Sequence, residues 1–214
     1  IMLTSVLQLL FNAADLVVVG AYCGSFSVAA VGATGAITNL IVNLFIGLSV
    51  GTGVAVAHGI GSREWEQVRN TVHTAVPMAL VSGLFLTVLG VSLSGSILRA
   101  MGTPDEVLGL ATTYMEIYFM GITAHMLYNF CASMVRAAGD TKSPLVILTA
   151  AGVVNVVLNI LFVRYLGRNV DGVALATVLS ETGAAIAIVI LMVRRTDSCR
   201  LELRKLRFHK APLK

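Results

Sequence analysis

Charge is scarce in this 214-residue sequence: Lys, Arg, Asp and Glu together make up only 12% of it. A soluble domain of this length normally carries about twice that share, so an ordinary water-facing surface is excluded. Cysteine is also scarce. The three present, Cys23, Cys131 and Cys199, are too few and too scattered for a disulfide framework, and no CxxC pair suggests a metal knuckle. His58, His73, His125 and His209 lack ligand spacing, and neither HExxH nor GxSxG occurs. An intramembrane protease or acyltransferase would need such a set, so no enzyme and no resident cofactor is expected.

Apolar residues fill the space that charge leaves, at 57% of the chain with a mean hydropathy of +0.87. They fall into six continuous runs, approximately 1–21, 28–58, 72–98, 107–135, 145–166 and 173–193. Each is long enough to cross roughly 30 Å of hydrocarbon as a helix, and several are longer than the roughly 20 residues a span needs. A β-barrel would instead show alternating segments of about ten residues. The expected class is all-α: a polytopic membrane protein with six transmembrane helices and the lipid bilayer as its surroundings.

With six spans the loops alternate sides. Twelve of the fifteen basic residues fall on one side, in the loops 61–70 and 136–143 and in the tail 194–214, and Arg99, Arg164 and Arg168 fall on the other. Basic short loops stay in the cytoplasm, which predicts those two loops and the tail to be cytoplasmic in a multi-pass cell-membrane protein. The pI near 9.2 comes largely from the tail. A basic segment directly after a span suits anionic headgroups, and no nucleic-acid partner is expected. The stretch RLELRKLRFHK at 200–210 alternates apolar and basic residues and would suit a helix lying at the interface. The chain opens on Ile1, inside its first apolar run, so a part of a longer protein is expected.

Asp15 stands in the middle of the first run. A carboxylate at bilayer depth costs several kcal/mol unless it is paired, hydrated or protonated, which marks it as a candidate ion or proton site. Gln8, Asn12 and Asp15 fall within about 60° of one another on a helix. That stripe must face protein or water, and a simple interhelical hydrogen-bond patch is the competing account. The second run adds Asn39 and Asn43, one turn apart, and a dense set of glycines; GLSVG at 47–51 fits the small-xxx-small pattern of close helix packing. On the fourth run Tyr114, Tyr118, Gly121, His125, Tyr128 and Asn129 share a face suited to a large, partly apolar ligand, or to interfacial belts with one core histidine. Asn155 and Asn159 are one turn apart on the fifth run, as are Thr177 and Glu181 on the sixth.

Several segments together resemble the multidrug and toxic compound extrusion (MATE) transporters. They are FNAADLVVVG and AAVGATG at 11–35, GLSVGTGVAVAHGIG at 47–61, RAAGDTKSP at 136–144, VNVVLNILFV at 154–163 and GVALATVLSE at 172–181. The resemblance implies one six-helix lobe of a twelve-helix, two-lobe transporter. Residues 1–193 would form the N-terminal lobe and 194–214 a basic cytoplasmic inter-lobe linker, with the C-terminal lobe of the same protein as the missing partner.

The same resemblance implies a cation-coupling pocket of Asp15, Asn155, Asn159 and Thr177 for transported H⁺ or Na⁺, these four serving as metal ligands in the sodium case. Where family members commonly carry an Asp on the fifth helix this chain has Asn159, so Asp15 would carry the formal charge alone. Phe11 matches the large residue four before the key Asp. With Gln8, Asn12, Asn39, Asn43, Tyr118, His125, Tyr128 and Glu181 it is expected to line the substrate chamber. The implied activity is H⁺- or Na⁺-coupled antiport, by alternating access, of cationic or amphipathic small molecules. A lipid-linked oligosaccharide flippase is the alternative, disfavoured by the lack of mid-span Arg or Lys.

Overall fold

In a computed structural model the chain is described over residues 2–196 and 199–202, apart from the side chains of residues 2–6, 8, 9, 11 and 12. Six α-helices follow one another: α1 (Met2–Tyr22), α2 (Ser25–Gly61), α3 (Trp65–Ala100), α4 (Asp105–Ala137), α5 (Lys142–Ile160) and α6 (Val170–Arg194). A single π-helical segment, Leu161–Tyr165, extends α5, and there is no strand among the described residues. Helices are what the solvent demands, because hydrocarbon offers a backbone N–H no partner and the helix supplies one internally. Helices α2, α3, α4, α5 with its π segment, and α6 are each long and apolar enough to cross a membrane.

The helices outrun the apolar runs. At 1.5 Å per residue the 37-residue α2 is about 55 Å long, against roughly 30 Å of hydrocarbon. The expected loop 61–70 shrinks to the three residues 62–64, with Arg69 already inside α3. Hydropathy marks where the bilayer is, whereas Glu66, Gln67 and Arg69 are good helix formers that continue the backbone pattern into water. The loop at 136–143 is likewise trimmed to 138–141.

Helix α4 is the centre of the bundle, packed against α2, α3 and α6, while α5 packs on α6 and α1 on α2 and α5. Two apolar clusters divide its length. One, at the end bearing the α2–α3 and α4–α5 turns, gathers Val56, Val68, Val72, Phe130, Met134 and Ile188. The other gathers Val19, Leu98, Met115, Phe119, Met126 and Val173. Close approach of α3 to α4 depends on Gly83, where an added Cβ would lie 2.7 Å from the Thr123 Cα. The glycine-rich α2 behaves otherwise than its GLSVG pattern predicts: Gly47 and Gly51 have nothing within 4 Å of a Cβ position, and the tight contacts fall at Gly53 against Ser133 and at Gly59 against Val68. A small-xxx-small spacing permits approach but does not supply the facing helix.

The α4–α5 turn shows why RAAGDTKSP has its composition. Gly139 lies at φ 93°, a left-handed conformation that an L side chain enters at a cost of about 1–2 kcal/mol, and it lets α4 stop with the Asp140 N–H donating to the Val135 carbonyl at 3.2 Å. Asp140 then accepts the Ser143 N–H at 3.0 Å, serving an orphan donor of α5, and its other oxygen meets Arg195 Nη1 at 3.2 Å. The Ser143 backbone donor, with Arg195 adding to it, holds the Asp140 carboxyl below the usual carboxylate range. A depressed folded-state pKa stabilises above the unfolded value of about 4 and is lost as pH falls through the lower folded value. Asp140→Asn is therefore expected to raise amide exchange in the first turn of α5 several-fold at pH 7 by hydrogen–deuterium exchange. The gap from wild type should close in acid, after correction for intrinsic rates.

Beyond α6 the chain turns back onto the bundle. Cys199 and Leu201 are each 1% exposed and join the first apolar cluster. The Leu201 N–H donates to the Met192 carbonyl at 3.1 Å, and the Glu202 N–H donates to His73 Nε2 at 3.2 Å. The interfacial helix expected over 200–210 is thus not what residues 200–202 form. Their alternation of apolar and polar residues serves an extended segment as well as a helix, and Val68 and Val72 offer Leu201 an apolar seat. The remainder of that stretch, and the rest of the basic tail, lie outside the described residues.

A buried carboxylate cluster beside a large cavity

Three helices bring their polar side chains to one point. Asp15 of α1 is 5% exposed, Asn159 of α5 is fully buried and Thr177 of α6 is 9% exposed. Asn159 Nδ2 donates to Asp15 Oδ1 and also, at 3.1 Å, to Asn155 Oδ1. Thr177 Oγ1 lies 3.3 Å from Asp15 Oδ2 and 3.1 Å from the Val173 carbonyl, so its single proton can serve either acceptor. Asn155 Nδ2 donates to Thr177 Oγ1 at 3.2 Å and closes the network. The one-turn spacing of Asn155 and Asn159 is what lets both amides reach the same carboxylate pocket. Asn159 Oδ1 is buried and has no hydrogen-bond partner among the described residues.

The network forms part of the wall of a cavity of about 820 Å³. Asp15, Asn155 and Thr177 line it, together with Asn39 and Asn43 of α2, Tyr118, His125 and Tyr128 of α4, and Glu181 of α6. That volume falls within the range of sites that hold drug-sized molecules. Of the other residues expected around the chamber, Phe11, Gln8 and Asn12 have side chains outside the described residues.

The polar face read along α4 divides in the structure. Tyr118, His125, Tyr128 and Asn129 reach the cavity, whereas Tyr114 is buried in the second apolar cluster, stacked on Tyr118 with ring centroids 6.4 Å apart. Gly121 is a packing position, where a Cβ would lie 2.5 Å from a Val178 methyl. A face about 100° wide on a central helix meets two neighbours, and sequence spacing does not say which part faces the void. Tyr128 also donates its hydroxyl to the Pro144 carbonyl at 2.7 Å, tying α4 to the start of α5.

Two features of the wall escape a span-by-span reading. Arg136, which charge counting assigns to a loop, is in the last turn of α4 and lines the cavity. His125 Nδ1 is 2.7 Å from Glu181 Oε1, a hydrogen-bonded pair of residues 56 positions apart that becomes an ion pair when His125 is protonated. No group of three or more His, Cys, Asp or Glu side chains with metal-ligand geometry occurs among the described residues.

The profile of the MatE family matches residues 1–161. Curated relatives include a probable multidrug resistance protein of Bacillus subtilis, YoeA, 26% identical over 91% of this chain and 43% of its own length. A second, the probable multidrug resistance protein NorM of Thermotoga maritima, is 27% identical over 92% of this chain and 43% of its own. Among solved structures, a MATE protein crystallised in the bent conformation superposes with a TM-score of 0.92 at 29% identity, over 99% of this chain and 47% of that one. An inward-facing multidrug resistance MATE family transporter gives 0.89 at 29% identity, over 96% and 47%. The chain spans about half the length of the relatives it matches.

Proposed function

The chain belongs to the MatE family, and from that membership we propose that it forms one lobe of a cation-coupled antiporter that exports cationic or amphipathic small molecules by alternating access. The observation that carries the reading is the position of Asp15: a buried carboxylate, fixed by Asn159 and Thr177, on the wall of a cavity large enough for a drug. A cation bound at Asp15 removes the site's single negative charge. It can drive a change of state only through a difference in its affinity for the two states.

The geometry favours a proton. Rotation of the Thr177 hydroxyl toward Val173 is enough to free Asp15 Oδ2 to receive one, with no other side chain turned. A sodium reading is favoured by one atom, Asn159 Oδ1, which has no hydrogen-bond partner among the described residues, since hard cations take oxygen ligands. For Na⁺ that amide would have to turn its oxygen toward Asp15. In proteoliposomes of the full-length protein, a pH gradient imposed without Na⁺ should drive drug movement and a Na⁺ gradient at constant pH should not. The reverse result would assign Na⁺, and drug movement under neither gradient would overturn coupled antiport. On this reading the turns at 62–64 and 138–141, with their basic flanks, face the cytoplasm of a cell-membrane protein, and residues 194–214 lead toward a second lobe.

A further inference from the structure

The His125–Glu181 pair is the one ion pair among the described residues that stands on the cavity wall. Both partners line the void, on α4 and α6, with Glu181 one turn beyond Thr177. Ionisation of Glu181 decides where the hydrogen of the contact sits. An ionised Glu181 only accepts, so His125 Nδ1 carries the hydrogen of the 2.7 Å contact. The other ring nitrogen, Nε2, belongs to a residue 8% exposed and has no hydrogen-bond partner among the described residues. A proton arriving at the pair has a vacant place on Nε2, and taking it leaves the Nδ1–H···Oε1 bond intact.

The charge of the pair then switches between two values. With His125 neutral it carries one net negative charge facing the cavity; with His125 protonated it carries none. Tyr118 on α4, half-buried, lines the same void, and a delocalised organic cation is attracted both to a carboxylate and to ring faces. We propose that Glu181 is the counter-ion for the positive group of the transported molecule, and that His125 is a built-in substitute cation that takes over Glu181 when it is protonated.

The assignment rests on the drug-export reading above but concerns a group other than Asp15. The other titratable or charged groups on the cavity wall are Asp15 from α1, Tyr118, Tyr128 and Arg136 from α4; the lining residues of α2 and α5 are uncharged. Tyrosine and arginine do not change charge between pH 5.5 and 8 when they keep ordinary behaviour. Asp15 is the group to be controlled for.

The test measures binding of tetraphenylphosphonium, a permanent cation, and of triphenylphosphine oxide, its neutral relative, to the full-length protein in nanodiscs. At pH 8, Glu181→Gln should weaken phosphonium binding at least tenfold and leave the neutral probe within twofold. Glu181→Asp should restore much of the loss. In an Asp15→Asn background, phosphonium binding should weaken about tenfold from pH 8 to 5.5, and adding His125→Gln should remove that dependence. Wild-type protein that binds neither probe would overturn the drug-export reading and this proposal with it. Wild-type binding of the phosphonium with no change in Glu181→Gln, loss of both probes together, or a pH dependence that survives His125→Gln would overturn this proposal alone.

Discussion

Full-length protein carrying Asp15→Asn is expected to insert and fold as wild type does and to lose drug extrusion by about a hundredfold, measured as ethidium efflux from energised cells. The expected separation of folding from transport follows from the network. An asparagine at position 15 can accept the Asn159 amide with its own oxygen and donate to Thr177 Oγ1 with its nitrogen, so every neighbouring group keeps a partner. What the amide cannot do is change charge. Without a charge change at position 15, an ion bound at this site has no differential hold on the two states, however well the substrate binds. Efflux retained in cells expressing Asp15→Asn at wild-type level would remove Asp15 from the coupling step. Thr177→Ala is expected to act more weakly, because it removes one donor and leaves the carboxylate.

The second large effect is structural and lies away from the cavity. Gly83→Ala would place a methyl carbon 2.7 Å from the Thr123 Cα, with the Thr123 Cβ and hydroxyl each 3.1 Å away. A side chain can rotate out of such an overlap, but Cα moves only with its helix. Helices α3 and α4 would have to separate locally, and α4 is also the helix against which α2 and α6 pack. Overpacking of this kind costs typically 1–3 kcal/mol. The expectation is a loss of several degrees in thermal unfolding in detergent, followed by fluorescent labelling of the buried Cys131. Gly47→Ala on α2 is the control and should be close to neutral, because nothing lies within 4 Å of its added methyl. Equal behaviour of the two variants would show that the α3–α4 contact is not limiting.

The helices and their order were readable because a bilayer imposes one simple rule on composition: long uncharged runs, punctuated by charge. That rule locates hydrocarbon rather than helix ends, which is why α3 begins at Trp65 and not at Val72. The meeting of Asp15, Asn155, Asn159 and Thr177 was legible for a different reason. Each is costly to bury, two of them are one turn apart, and the resemblance to MATE transporters supplied the helix pairing that spacing alone cannot. The His125–Glu181 pair shows the limit of this reasoning. Both side chains stood out as polar positions within spans, yet their partnership depends on how α4 and α6 are rotated about their axes. That rotation is set by small residues such as Gly121 against Val178, whose signal in sequence is indistinguishable from any other glycine in an apolar run.

The returning segment after α6 brings the chain back to α3. With Leu201 in the apolar cluster that includes Val68 and Val72 of α3 and the backbone of Glu202 held by His73, residues 201–202 lie beside α3 and not at the free end of α6. Pulling Leu201 back into water would cost about 1.5–3 kcal/mol before the two backbone hydrogen bonds are counted. The chain after α6 is therefore joined to the bundle twice, covalently through α6 and through this seat to α3, so a shift of α3 relative to α6 is felt at residues 199–202.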